Sequence, residues 1–256
     1  MMQKGFFTDT TLCIGCKACE VACKQWNQLP ADGYQWTGHS YDNTVALSST
    51  TWRHVAFIER SRPTDGFGKP VTWLMMSDVC KHCTHAGCME ACPTGAIIRN
   101  EFGDVYVQPD ICNGCGYCVP SCPFGVIGRN HDTGIAAKCT LCYDRQKDGL
   151  EPACAKACPT DSIQFGDIDE LRAKARQRVE TLYTRGEKTA YLYGVDEDTS
   201  VGDLNAFFLL TERPSIYNLP EHPYLPQENI LPGFVACLIT ASLLMLITAF
   251  SLWNRK

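Results

Sequence analysis

The chain has 256 residues, 45% hydrophobic and 20% charged, which is enough to bury a core and excludes a disordered chain. Its 23 basic and 28 acidic residues give a net charge of −5, which excludes a broadly basic nucleic-acid-binding surface. The unusual feature is a total of 17 cysteines. Disulfide-dense chains are generally short and secreted, and residues 1–7 lack the apolar run of a signal peptide. A disulfide framework is therefore not expected.

Sixteen cysteines fall into four groups of four along the chain. Group one has the spacing C-x2-C-x2-C-x3-C and group three repeats it, whereas group two has a longer x4 step and group four has an x11 insert. A proline follows each of groups two to four, and Lys24 follows group one. The groups, in order, are Cys13, Cys16, Cys19 and Cys23; Cys80, Cys83, Cys88 and Cys92; Cys112, Cys115, Cys118 and Cys122; and Cys139, Cys142, Cys154 and Cys158.

This spacing is typical of bacterial ferredoxins that hold [4Fe–4S] clusters. Three thiolates in a tight loop bind one cubane, and the fourth ligates the other cluster of a pair. Zinc is the competing interpretation, because two C-x2-C pairs also make a four-thiolate site. Zinc ribbons use separated pairs, however, and not compact runs closed by C-x3-C-P. The pattern therefore favours iron–sulfur clusters, with a visible absorption that dithionite bleaches.

Short strands are predicted between and after the groups. Within an insert over residues 24–79, residues 51–59 and 71–76 have the composition of strands. Alternation and turn residues predict a hairpin over residues 96–107, and residues 162–165 predict a further strand. Each half of the domain is thus predicted to contain a cysteine loop, a short helix and a small hairpin.

A helix and an irregular stretch are predicted after the cysteines. Apolar residues recur at helical spacing over residues 168–183, and the other face carries Arg172, Lys174, Arg176, Arg178 and Arg185. A solvated helix face is the favoured interpretation, with a docking surface for an acidic partner as the alternative. Residues 187–230 contain several prolines and predict an irregular stretch.

Residues 231–253 predict a single membrane span. No charged residue lies between Glu228 and Arg255, and 23 residues in a helix reach about 34 Å, against a hydrocarbon core of roughly 30 Å. A buried helix of a soluble core is the less favoured alternative. Gly233, Cys237 and Ala241 recur every four residues, a spacing suited to close helix packing, so Cys237 is interpreted as a packing residue.

Four such groups in this order resemble the four-cluster electron-transfer subunits of molybdenum or tungsten bis-pterin oxidoreductases, over roughly residues 8–166. Residues 138–145, 151–154 and 177–180 resemble the iron–sulfur (beta) subunit of membrane-bound respiratory formate dehydrogenase. The resemblance implies an α+β fold of two ferredoxin-like dicluster halves with an inserted strand segment, followed by one C-terminal transmembrane helix. The domains are then residues 1–166, with the second half at 80–130; a helix and extended Pro-rich linker at 167–230; the span at 231–253; and a tail at 254–256.

By the same resemblance, ligation of four [4Fe–4S] clusters crosses between groups. Groups one and four, here called the one/four half, would face the catalytic subunit. Groups two and three, the two/three half, would face the membrane partner. The implied ligand sets are Cys13, Cys16, Cys19 and Cys158 for cluster 1; Cys139, Cys142, Cys154 and Cys23 for cluster 2; Cys80, Cys83, Cys88 and Cys122 for cluster 3; and Cys112, Cys115, Cys118 and Cys92 for cluster 4.

The resemblance implies a non-catalytic electron-transfer subunit of a formate dehydrogenase complex in the cell membrane. It would connect a bis-pterin catalytic alpha subunit to a cytochrome b-type gamma subunit and quinone. The same subunit in a dimethyl sulfoxide, polysulfide or nitrate reductase is the main alternative, and an anchored polyferredoxin and a zinc scaffold are the others. His82 and His85 could tune the potential of a cluster, but ordinary surface or loop histidines are favoured. No nucleotide-binding or nucleophile motif accompanies the cysteines.

Overall fold

The computed structural model describes residues 3–33, 44–61, 71–196 and 198–254. Strands and helices follow one another along the chain without a regular β–α–β repeat, which is typical of an α+β fold. The strands are β1 (Lys4–Asp9), β2 (Arg53–Ser61), β3 (Val71–Val79), β4 (Ile97–Arg99), β5 (Val105–Val107), β6 (Gly128–Arg129), β7 (Ala136–Ala137), β8 (Ile163–Asp167), β9 (Tyr191–Tyr193) and β10 (Ala206–Leu210). The helices are α1 (Ala18–Asn27), α2 (Gly87–Glu90), α3 (Tyr143–Lys147), α4 (Ala153–Lys156), α5 (Ile168–Thr184) and α6 (Ile230–Trp253), with 3-10 turns at Pro214–Tyr217 and Pro226–Asn229.

A four-stranded sheet forms the centre of the largest core, in the order β8-β1-β10-β9. Strand β1 pairs parallel with β10, whereas the pairs β1–β8 and β10–β9 are antiparallel. Phe7 stacks on Phe207 with ring centroids 5.3 Å apart. Helix α5 buries Leu171 and Ala175 in the same core. The sheet therefore joins the first strand of the chain to one about 200 residues later.

The prediction of an irregular stretch over residues 187–230 is wrong for β9 and β10. All five residues of β10 are buried, so it is a short apolar run without the polar–apolar alternation that marks a half-buried strand. Its partner β1 is also remote in sequence. Prolines occur in the rest of the stretch, where Pro214–Tyr217 and Pro226–Asn229 form 3-10 turns.

Strands β2 and β3 form an antiparallel ladder that runs from the pair Arg53↔Val79 to the pair Ser61↔Val71. The two strands predicted in the insert are thus confirmed, with β2 starting two residues later and β3 ending three residues later than predicted. The parts of the insert at residues 34–43 and 62–70 lie outside the described residues.

The predicted hairpin over residues 96–107 is confirmed as the antiparallel pair β4–β5, and a second small hairpin, β6–β7, follows group three. The predicted strand at residues 162–165 is confirmed as β8. However, β8 pairs with β1 and does not form a local hairpin. The expected plan of loop, helix and hairpin therefore describes the two/three half, whereas the sheet replaces the hairpin in the one/four half.

The predicted helix at residues 168–183 is confirmed as α5. The side chain of Asp167 caps it by accepting hydrogen bonds from the backbone N–H groups of Asp169 and Glu170. Three of its four basic side chains pair with aspartates of the same chain: Arg178 with Asp9 at 2.8 Å, Arg172 with Asp203 at 3.1 Å and Arg176 with Asp196 at 2.6 Å. These arginines thus hold α5 to its own domain.

Helix α6 is apolar and exposed along its whole length. Among the described residues it is the one helix long and apolar enough to cross a membrane, with a mean hydropathy of 2.4 and none of its apolar window buried. A core helix of a soluble protein would be mostly buried, so this structure is compatible with a single membrane span. Residues 255 and 256 of the predicted tail lie outside the described residues.

Candidate iron–sulfur centres

Two helices bring group one and group four together. Cys19 and Cys23 lie four residues apart on α1, so they project from one face of that helix. Cys154 lies on α4, which packs against α1. The first and last cysteine groups, more than 100 residues apart in the chain, are therefore neighbours in the fold.

A small cavity of about 20 Å³ lies among four cysteines of the one/four half. Three of them, Cys13, Cys16 and Cys19, come from group one, and the fourth is Cys158, the last cysteine of group four. Val55 and Ile163 contribute apolar wall. The cavity thus brings together the four residues of the first ligand set.

A similar cavity, also of about 20 Å³, lies in the two/three half. Its cysteines are Cys80, Cys83 and Cys88 of group two together with Cys122, the last cysteine of group three. The remaining wall is mostly apolar and includes Phe124, with the side chains of Lys81, His82 and Lys138 also present. This cavity brings together the four residues of the third ligand set.

Electrostatic interactions between thiols indicate that the residues of the other two sets are also close in space. The pKa of Cys23 is raised by burial and then by the neighbouring thiols of Cys154 and Cys142, and the pKa of Cys139 is raised by burial and then by Cys23. In the fourth set, burial and the thiols of Cys112, Cys115 and Cys92 raise the pKa of Cys118 to about 11. Each set again contains the last cysteine of the other group of its half.

Three electrostatic interactions between neighbouring sets indicate that the four sets form a series. Beyond burial, Cys154 of the second set raises the pKa of Cys19 of the first. Cys80 of the third raises that of Cys139 of the second. Cys118 of the fourth raises that of Cys88 of the third. The order of neighbours in space is therefore first, second, third and fourth.

The donor chemistry of these sites fits iron–sulfur clusters. Burial raises the pKa of Cys19 to about 11 and that of Cys142 to about 12, so these thiols ionise at neutral pH only with a metal bound or a cation nearby. Two side chains also have buried N–H donors without hydrogen-bond acceptors among the described atoms: Arg53 at Nε and Nη2, and His82 at Nε2. Sulfur in the adjoining sites would be their acceptor. Within the described ranges, no three His, Cys, Asp or Glu side chains are grouped to hold a single metal ion.

Comparison with known proteins agrees with this geometry. Two family models, each described as "4Fe-4S dicluster domain", match residues 12–96 and 71–168, and together the matches include all 16 grouped cysteines. The chain is 41% identical to the formate dehydrogenase iron-sulfur subunit of Haemophilus influenzae, over 85% of this chain and 68% of that protein. It is 40% identical to the formate dehydrogenase-O iron-sulfur subunit of Escherichia coli K12, over 86% of this chain and 71% of that protein.

The chain belongs to the family of formate dehydrogenase iron–sulfur subunits. A further relative, the B subunit of the anaerobic dimethyl sulfoxide reductase of Escherichia coli K12, is 36% identical over 67% of this chain and 77% of its own length. The match to the formate dehydrogenase subunits thus extends over more of the chain. Clusters of the [4Fe–4S] type follow from the family matches and the cysteine pattern.

These centres involve more than their cysteines, and sequence reasoning missed several buried cations beside them. The side chains of Arg53, Lys81 and Lys138 are almost completely buried. Arg53 lies in the insert, where nothing in the local pattern distinguishes it from other strand residues. Lys138 directly precedes Cys139, so only its position beside a predicted ligand could have identified it.

His82 was expected to be an ordinary surface or loop histidine; it lies in a loop, but the expectation of an ordinary position is wrong because the residue is buried. The ring is 1% exposed and lines the cavity of the third set. Its Nδ1 accepts a hydrogen bond from the backbone N–H of Val105 at 3.1 Å. Burial lowers the pKa of His82 well below its usual value, so the ring is neutral with its proton on Nε2. His85 is exposed, as expected of a loop residue.

Proposed function

We propose that this chain is the electron-transfer subunit of a membrane-bound formate dehydrogenase complex. The observation that carries the proposal is the series of four cysteine sets, each with a thiol that interacts electrostatically with a thiol of the next. The relatives named as formate dehydrogenase iron-sulfur subunits support the choice of complex. The role we propose is electron relay alone, because the sequence has no nucleotide-binding or nucleophile motif beside the cysteines.

In this proposal the chain holds four [4Fe–4S] clusters, each ligated by three cysteines of one group and the last cysteine of its partner group. The cavity bounded by Cys80, Cys83, Cys88 and Cys122 supports this crossed arrangement, and so does the cavity that includes Cys158. When bound, such clusters supply one-electron carriers whose potentials depend on charge, hydrogen bonds to sulfur and solvent exposure.

The residues of the chain would hold the clusters and exclude water from them. Most of the cysteines are buried or half-buried, whereas Cys16 of the first set and Cys115 of the fourth are exposed. These two exposed residues belong to the sets at the two ends of the series. We infer that electrons enter and leave at the ends, where the chain leaves a cysteine open to a partner.

The proposed partners are a molybdenum or tungsten bis-pterin catalytic subunit at the first set and a cytochrome b-type membrane subunit at the fourth. One contact supports this direction. Gln227, in the turn that leads into α6, donates a hydrogen bond to the carbonyl of Gly87 at 3.3 Å, beside Cys88 of the third set. The two/three half therefore adjoins the start of the proposed span, where a membrane partner would lie.

The proposed location is the cell membrane, with α6 as a single span and the clusters on the periplasmic side. Arg255 and Lys256 follow the span, whereas Arg213 is the one Lys or Arg within about 20 residues before it, so the positive-inside rule favours a cytoplasmic C-terminus. Protease added to intact spheroplasts should digest the cluster domain. A domain that resists until the cells are lysed would place it on the other side.

The function is tested by purifying the complex through a tag on this chain and identifying the catalytic subunit that copurifies. Formate added without oxygen should bleach the visible absorption of the clusters, and a quinone analogue should restore it. As the matched control, dimethyl sulfoxide added to the reduced complex should restore nothing. Reoxidation by dimethyl sulfoxide, with no response to formate, would assign the chain to a sulfoxide reductase.

A further inference from the structure

The guanidinium of Arg53 is buried with two of its nitrogens unsatisfied. The residue is 1% exposed on β2. Its Nη1 donates to the carbonyl of Ser77 at 3.3 Å and to the Ser77 hydroxyl at 3.1 Å. The Nε and Nη2 groups have no hydrogen-bond partner among the described atoms. A buried cation with unpaired donors is costly unless anionic acceptors face it.

Cysteines of two ligand sets lie around this guanidinium, because Phe6, which packs against Arg53, shares a buried core with Cys19 of the first set and with Cys139 and Cys154 of the second. Burial lowers the pKa of Arg53, but neighbouring thiolates more than offset this and raise it above its ordinary value. The first set contributes Cys19 to these thiolates, and the second set contributes Cys154, Cys139 and Cys23. Arg53 thus lies between the first and second sites.

The surroundings hold the guanidinium in one orientation. The ring of Phe6, which is fully buried, has its centroid 4.7 Å from the Arg53 Cζ. Ser77 holds Nη1 of the guanidinium, and the Ser77 hydroxyl oxygen lies 3.2 Å from the Sγ of Cys19. Arginine can only donate and a metal-bound thiolate can only accept, so the Ser77 hydroxyl accepts from Arg53 and donates to Cys19. One edge of the guanidinium is therefore connected to the first site through Ser77.

We propose that Arg53 is a cluster-tuning residue whose Nε and Nη2 donate hydrogen bonds to sulfur atoms of clusters 1 and 2, so that one guanidinium raises the reduction potentials of both. This inference rests on the proposed ligand sets. Its physical basis is that a fixed positive charge and N–H donors stabilise the reduced, more negative state of a thiolate-ligated cluster. The insert that carries β2 thereby acts on electron transfer at the one/four half.

The test uses redox-titrated electron paramagnetic resonance of the complete complex with Arg53→Met, which keeps most of the length and removes the charge. The midpoint potentials of clusters 1 and 2 should both fall, whereas those of clusters 3 and 4 should stay unchanged. Arg176→Met is the control, since Arg176 pairs with Asp196 at an exposed position on α5. It should shift none of the four.

Arg53→Lys keeps the positive charge but removes the planar set of guanidinium N–H donors. If the Arg53→Met complex fails to assemble, the midpoint potentials of Arg53→Lys provide the test. Both midpoints should fall with lysine, by less than with methionine. Unchanged midpoints, a shift of one cluster alone, or an equal shift of all four would each overturn the shared role. These results would overturn the role of Arg53 while the wild-type complex keeps its clusters and their reduction by formate. If the proposed function is wrong, formate will fail to reduce the clusters of the wild-type complex.

Discussion

The one/four half and the two/three half hold equivalent cysteine sets on very different supports. The one/four half lies beside the four-stranded sheet and the β2–β3 ladder, and its cysteines lie on α1 and α4 or in the loops that precede α1 and α3 and follow α4. The two/three half has two short hairpins, β4–β5 and β6–β7, and its one helix is the single turn of α2. Regular secondary structure therefore supports one half far more than the other.

The difference extends to the buried residues. The core around the sheet contains 18 buried hydrophobic residues, none of them a cysteine. The core of the two/three half contains eight, and two of these are Cys88 and Cys118. Ligands thus form part of the small core itself. The one/four half also has ligands in its core, because Cys19, Cys139 and Cys154 belong to a core of 12 residues that includes Phe6 of β1 and Ile163 of β8. The sheet itself, however, has a separate core without ligands. We therefore infer that the sheet keeps its packing without clusters, whereas the two/three half depends on its clusters to fold.

The largest expected effect comes from removing a crossed ligand in each half. Cys122→Ser should cost most of the yield and iron content and leave residues 80–130 sensitive to protease, because metal binding and folding are coupled there. Cys158→Ser should lose iron but keep a protease-resistant sheet. Cys237→Ser, which changes the cysteine on α6, is the control and should keep the full iron content.

The same variants test crossed ligation. The paramagnetic signature of Cys122→Ser should match that of Cys83→Ser, because both residues line one cavity. A match to Cys115→Ser would show that each group holds its own cluster. Comparable protease sensitivity of Cys122→Ser and Cys158→Ser would remove the contrast between the halves.

A smaller effect is expected from Phe207→Ala, in the middle of the sheet. Truncation of this fully buried ring should cost about 3–5 kcal/mol, through lost burial and the cavity left behind. On mild heating, the signals of clusters 1 and 2 should then be lost first. Ile97→Ala on β4 is the counterpart in the two/three half and should affect clusters 3 and 4 first. Loss of all four signals together in both variants would show one cooperative unit.

A more local effect is expected from Gly87→Ala. A Cβ at this position would lie 2.5 Å from the carbonyl oxygen of Ser121, so the backbone of group two must shift away from group three. We expect a cost of about 1–3 kcal/mol and a changed signal of cluster 3 alone. Gly166→Ala on β8 is the control, since its nearest neighbour would be an ordinary 3.8 Å from the new Cβ. An unchanged cluster 3 signal would contradict the close approach of the two groups.

The smallest effect on either half is expected from truncation before Leu231. Helix α6 is exposed along its length, so its removal takes no support from either half. The truncated chain should leave the membrane fraction with its four clusters spectroscopically unchanged. Fractionation and iron analysis measure both outcomes. A truncated chain that still sediments with membranes would contradict the anchoring role.

Sequence reasoning succeeded where local spacing carries the information. The cysteine groups, the β4–β5 hairpin, α5 and the apolar helix α6 all have short-range patterns. It failed for β10, because a buried five-residue strand has no alternation and its partner β1 is distant. It also missed Arg53 and misjudged His82, because the role of a buried polar side chain depends on what tertiary packing places beside it.

The parallel pairing of β1 with β10 has a consequence for synthesis on the ribosome. Residues 80–130 emerge as one continuous segment, so the two/three half has all eight of its cysteines early. The sheet must wait for β10, which at roughly 5–20 residues per second emerges several seconds later. Until then the apolar edge of β1 has no partner. We therefore expect the amino-terminal strand of the nascent chain to need protection by a chaperone while the middle of the protein is already acquiring iron.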